Sequence, residues 1–242
     1  MSVLDARSLS PVFDGQRRMA SRTAMRTVSL ATALLGGLLT AFASAQEPPP
    51  SLPFLDAAPT TLQAPPVSSV RLGSLVVTLD SGTLPAVARA IADGLVSHAG
   101  DASESTYWLC YSLGPPASRQ RVWLLSSGEL GGSEHSIYGV VAKAVDRAAA
   151  SPTCPELPRE FVPVALDVGV WVGSSDGDAR AKLGRPSLTD GPWLHFMGQR
   201  ELVGDPRSAA WGPGRFYENG SVSVRLRGGR VDELWATKSA GK

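Results

Sequence analysis

The chain has 242 residues, 43% hydrophobic and 19% charged, with a formal net charge of +1. These ordinary proportions exclude wholesale disorder, coiled coil and collagen, and the absence of a Lys/Arg run removes the basic stripe that nucleic acid or an anionic membrane would require. Removing the first 45 residues leaves 197 with 18 basic and 20 acidic groups, a net charge of −2 and enough chain for a sizeable core.

Residues 1–45 read as an export signal. Val28 to Ala45 is apolar and uncharged, follows Arg17, Arg18, Arg22 and Arg26, and ends in Ala43-Ser44-Ala45, the small-x-small pattern of a cleavage site. Cleavage before Gln46 is the expectation, with translation starting at Met19 or Met25, because the stretch before Met25 is long and unpatterned for a signal. The apolar run barely reaches the length of a membrane span and contains two glycines, so no retained anchor is expected. No cysteine follows it, which removes lipidation of an N-terminal Cys. Arg17-Arg18 is a weak twin-arginine match. The protein is expected to be periplasmic or secreted.

Residues 46–67 contain the seven prolines of a tether. Proline removes backbone donors and favours extended polyproline geometry; a ligand for a proline-recognising domain is the functional alternative. Residues 68–146 should form a first αβββ unit. Ser69–Leu79 reads as strand, and Thr83 offers an N-cap to a helix over 84–97 with Pro85 in its first turn. Ser105–Leu113, Arg121–Ser127 and Ser136–Val145 follow as strands. Residues 147–163, with four prolines and Cys154, form a connector. A second αβββ unit occupies 164–242. It opens with the apolar run Phe161–Val172, then Ser175 caps a short helix ending at Gly184 and Pro186, and Trp193–Met197 and Ser221–Lys238 are strands. The last is a hairpin turning at Gly228-Gly229. A two-residue turn there sets Arg225 opposite Asp232 but Glu233 opposite Val224, a conflict that a bulge near Asp232 repairs. Thr83-x-x-Ala86-Val87-x-x-x-Ile91 overlays Ser175-x-x-Asp178-Ala179-x-x-x-Leu183 at a shift of 92 residues, which suggests a degenerate duplication. The expected class is α+β.

The two cysteines, Cys110 and Cys154, both lie in the exported part, where an oxidising compartment favours a disulfide between them.

The string Gly173 to Pro186, followed by Trp193-Leu194-His195 and by SVSVRLRGGRVDELW, resembles the repeat of the β-lactamase-inhibitory-protein fold, which also builds the SmpA/OmlA lipoprotein of the outer-membrane assembly machine. The resemblance covers about 65 residues. Ser174 stands where the repeat has a large apolar residue, and the lipobox cysteine is missing. The tandem inhibitor architecture is the closer analogue, and it implies a module that binds another envelope or secreted protein rather than an enzyme.

Chemistry-bearing clusters are sparse. Glu129, Glu134 and His135 lie on a Gly-rich stretch and are the candidates for a small extracytoplasmic hydrolase or metal-dependent enzyme; a solvated hairpin turn explains them equally. His98, Asp101 and Glu104 have no ligand spacing, and Asp176-Gly177-Asp178 departs from a calcium loop at Arg180. No cofactor or metal is implied, and no catalytic residue is assigned. All six tryptophans, including Trp108, Trp171 and Trp211, fall in the exported part. Core packing accounts for most of them, but two short helices cover only one sheet face, so the other is polar, covered by the other half, or apolar and free for a partner, and aromatics beside apolar neighbours along the strands (Trp108/Leu109, Trp123/Leu124, Trp193/Leu194) favour the last. Trp193 and His195, with Trp235 on the hairpin and Trp123 in the first unit, are the candidate partner-binding residues.

Overall fold

A computed structural model describes residues 46–53, 62–63, 65–92, 94–101, 104–128, 136–145, 153–205 and 214–241, all within a single unit that runs from Ala43 to Lys242. Residues 1–45, expected to be an export signal, and Trp211, Glu129, Glu134 and His135 lie outside the described residues.

The stretch from Ser69 splits into a hairpin, β1 (Ser69–Leu72) and β2 (Leu75–Thr78). Gly73 makes the split: its φ is +59°, and an added Cβ would lie 2.1 Å from the Glu160 carbonyl oxygen. Helix α1 (Leu84–Ile91) starts after Thr83 with Pro85 in its first turn, although the Thr83 hydroxyl caps nothing. It is shorter than the expected 84–97 because Ala92 turns left-handed at φ 56° and Ser97–Ala99 is taken into a strand, β3. β4 (Thr106–Leu113), β5 (Gln120–Ser127) and β6 (Gly139–Ala144) follow as an antiparallel meander.

Of the apolar run Phe161–Val172, only β7 (Val164–Leu166) forms strand, pairing with β1 in a small sheet ordered β2-β1-β7. Helix α2 (Asp176–Leu183) begins as expected, the Ser175 hydroxyl accepting from the Asp178 amide at 3.0 Å. Its start is tied to the last hairpin, Asp176 N–H donating to Gly229 O at 3.0 Å. β8 (Leu188–Asp190), β9 (Trp193–Glu201), β10 (Tyr217–Arg227) and β11 (Arg230–Gly241) complete the chain. The register of β10 and β11 shifts between Arg225 and Leu226, which pair with Glu233 and Val231, so Asp232 is the bulged residue the sequence pattern requires.

All these strands except β1, β2 and β7 form one antiparallel sheet ordered β3-β4-β5-β6-β11-β10-β9-β8. With two α-helices among the described residues and antiparallel sheets, the protein is α+β. Each helix is followed by four strands of this sheet rather than the expected three, and the two sets join side by side through β6 and β11. Alternation divides the sheet cleanly. Leu109, Val122, Leu124, Val140, Leu194, Phe196, Val222 and Leu234 face the helices and the small sheet, and pack with Leu84, Val87, Ile91, Ala179 and Leu183 into the main core.

Candidate functional site

The opposite face carries every candidate binding residue. Cross-strand pairing arranges it in rows. One row runs His195, Ser223, Trp235, Val141, Trp123, Cys110 from β9 to β4. The next runs Trp193, Arg225, Glu233, Lys143, Arg121, Ser112. Sequence alternation placed Trp193 and His195 on one face; the strand order and register bring Trp235 and Trp123 onto it as well.

This face is not the open surface expected of it. Trp123 is 2% exposed, Trp235 3% and His195 1%, and Trp193 alone of the four is half-exposed. Trp108, Trp123, Trp235, Leu125, Val141 and both half-cystines form a second apolar cluster. Two segments read as connectors close over its β4 side. Cys154 is bonded to Cys110 with Cα atoms 5.0 Å apart, and the chain beyond it pairs with Ser112, whose N–H donates to Pro155 O at 2.8 Å and whose carbonyl accepts from Leu157 N–H at 2.7 Å. The start of the proline-rich segment does the rest. Gln46 presents its carboxamide edge-on to β4, its Oε1 accepting from Cys110 N–H at 2.7 Å and its Nε2 donating to Cys110 O at 3.3 Å. Glu47 forms an ion pair with Arg121, and its carbonyl accepts from the Trp123 indole N–H at 2.9 Å. Pro48 and Pro50 then line, with Trp123, Lys143, Ala144 and Val145, a cleft of about 400 Å³. At the far edge of the sheet Gln63 continues beside β9, its N–H donating to Met197 O at 3.0 Å and its carbonyl accepting from Gln199 N–H at 2.8 Å. The described ends of the supposed tether are therefore docked at opposite sides of the same sheet. Nothing in the sequence betrayed this, because a segment with seven prolines has no periodicity to read.

Charges on this face are satisfied rather than poised for chemistry. The buried Glu233 carboxylate accepts from Trp235 Nε1 at 3.1 Å and pairs with Arg225 at 3.0 Å and Lys143 at 3.4 Å. Arg225 also bonds the bulged Asp232 at 2.9 and 3.1 Å, and this contact raises the guanidinium's already high pKa. Its guanidinium lies 5.7 Å from the Trp193 ring centroid, within cation–π range. His195 stacks on Trp193 and shares a 2.7 Å hydrogen bond between Nδ1 and the Ser223 hydroxyl, while its buried Nε2 has no partner. Burial holds the imidazole below its usual pKa, with Asp190 acting weakly the other way.

His98 packs at a tilt against Tyr107, ring centroids 4.4 Å apart, and bonds Ser105, apart from both rows. Among the described residues no group of three or more His, Cys, Asp or Glu side chains is placed to hold a metal ion. Comparison with protein-family models, with curated proteins and with solved structures finds no match.

Proposed function

We propose that the chain is exported and serves as a disulfide-stapled protein-binding module whose aromatic sheet face receives an extended, proline-rich segment of another envelope or secreted protein. One observation carries this reading: the Trp123 indole N–H donates to the Glu47 carbonyl immediately before Pro48-Pro49-Pro50, and Pro48 and Pro50 line a cleft together with Trp123. An indole donor aimed at a backbone carbonyl beside a flat apolar wall is how aromatic grooves take polyproline strands, whose fixed φ leaves little entropy to lose. Trp235 and His195 underlie the face, and half-exposed Trp193, flanked by Arg225, is its accessible rim. Tryptophan and arginine at such positions dominate binding energy in protein interfaces.

On this reading the protein's own segment is a ligand held in cis. Its effective concentration, of millimolar order, is what a partner in trans must overcome. Two features support a degenerate duplication akin to the tandem inhibitor repeat: each helix precedes four antiparallel strands, and the two sets meet through their last strands. The Cys110–Cys154 disulfide is consistent with the oxidising compartment.

The test uses the exported chain carrying Gln46→Ala and Glu47→Ala together with Pro48→Ala, Pro49→Ala and Pro50→Ala, which removes the Cys110 and Arg121 anchors as well as the prolines and so loosens the cis segment. Titration with a peptide of sequence 46–53 should give a saturable change in tryptophan fluorescence, and adding Trp123→Phe should abolish it. Absence of saturable binding by the loosened chain would overturn the proposal.

A further inference from the structure

The proline-rich segment is anchored by its first residue, and the anchor has a chemistry of its own. Gln46 is 5% exposed. Its backbone nitrogen donates to the Ser97 hydroxyl at 2.8 Å, and its carboxamide pairs with both the N–H and the C=O of Cys110. Ala43-Ser44-Ala45 ahead of it makes Gln46 the first residue of the mature protein on the export reading above, on which this inference rests.

A free N-terminus at that position is a problem. An α-amine ionises with a pKa near 8, so at neutral pH it is mostly an ammonium with three donors. Ser97 offers it a neutral hydroxyl, and burying a cation against a neutral acceptor is costly. Glu47, the adjacent carboxylate, is engaged by Arg121.

We infer that Gln46 is a modification site: after signal cleavage it cyclises to pyroglutamate, and the neutral lactam is the group that docks on the Cys110 N–H and C=O of β4. The step needs no external reagent. The α-amine nitrogen attacks Cδ of its own side chain, the N–Cδ bond forms, the Cδ–Nε2 bond breaks, and Nε2 leaves as ammonia carrying a proton from the amine. The product keeps the Cδ carbonyl that Cys110 N–H needs. It also keeps one N–H on the same side of the amide, because a five-membered lactam is held cis and so presents the donor-acceptor edge of the carboxamide it replaces. Cyclisation thus removes the buried charge and keeps the two-point pairing with Cys110; the single lactam N–H replaces Nε2 as donor to the Cys110 carbonyl and gives up the bond to Ser97. It precedes docking, since in the folded protein the carboxamide is held by Cys110.

Full-length precursor is expressed with export, and the protein recovered from the periplasm is measured by native mass spectrometry at neutral pH, with tandem sequencing of its N-terminal peptide. The expected peptide begins at residue 46 and lacks one ammonia. A peptide beginning at intact Gln46 overturns the cyclisation while leaving the export reading in place; a peptide beginning elsewhere overturns the export site itself. A second measurement tests docking: pyroglutamyl peptidase should leave the folded protein uncut and remove the residue from reduced, unfolded chain. Equal cleavage of both would show that the lactam is not seated against β4.

Discussion

Replacing Trp235 and Trp193 separately by alanine divides the aromatic face into core and rim. Trp235 is 3% exposed, and an aromatic ring of its kind buries about 150–250 Å². At about 25 cal/mol/Å² that area is worth about 4–6 kcal/mol as an upper bound, and buried Trp→Ala changes cost about 3–5 kcal/mol. Glu233 loses one donor in the variant but keeps Arg225 and Lys143, so the carboxylate is not stranded. A loss of about 4 kcal/mol lowers the melting temperature by about 8–16 °C in a chain of this size. Trp193 is half-exposed and contributes its stacking on His195 and its contact with Arg225. Its removal should cost about 1–2 kcal/mol, within about 2–8 °C. Thermal melts followed by circular dichroism, with urea midpoints as a second scale, measure both. Equal large losses would place Trp193 in the core and take it out of the proposed surface; a loss under about 1 kcal/mol for Trp235 would mean that the face is not packed as described.

The disulfide encloses a loop of 44 residues, so Cys110→Ser with Cys154→Ser should lower stability by about 4 kcal/mol on the chain-entropy account, and thiol titration of unreduced, denatured wild type should find no free thiol. Burial lowers the His195 pKa, so below about pH 6.5 the unfolded chain binds a proton that the native one refuses. Urea midpoints should therefore show up to about 1.4 kcal/mol lost per pH unit below that value, a slope that flattens in His195→Gln and would exonerate the histidine if unchanged. Ser175→Ala removes the hydroxyl that accepts from Asp178 N–H and should cost about 1 kcal/mol by chemical denaturation. Gly73→Ala forces a Cβ onto the Glu160 carbonyl at a left-handed φ, and a melting temperature like wild type would contradict that close approach.

Local rules were legible wherever a residue's conformation depends on its near neighbours. Ser175 caps α2 because its hydroxyl needs only the amide three residues on, and the Gly228-Gly229 turn with its bulge at Asp232 follows from side-chain alternation along one hairpin. The division of Trp193-Leu194-His195-Phe196 between two faces is likewise a matter of period two. The Cys110–Cys154 pairing was legible by elimination, since no third thiol competes. What lies against a face is a different kind of fact. Whether Trp123 and Trp235 meet a partner or their own chain depends on residues far away in sequence, such as Glu47, which is 76 positions from Trp123. Prolines carry no hydrophobic period, so no pattern marks Pro48 and Pro50 as docked rather than free. The end of α1 was misplaced for a related reason: Leu95 continues the helical spacing of Leu84, Val87 and Ile91, but the chain turns left-handed at Ala92 and the edge of β4 offers Ser97–Ala99 a ladder of hydrogen bonds, a partner that exists only once the sheet has formed.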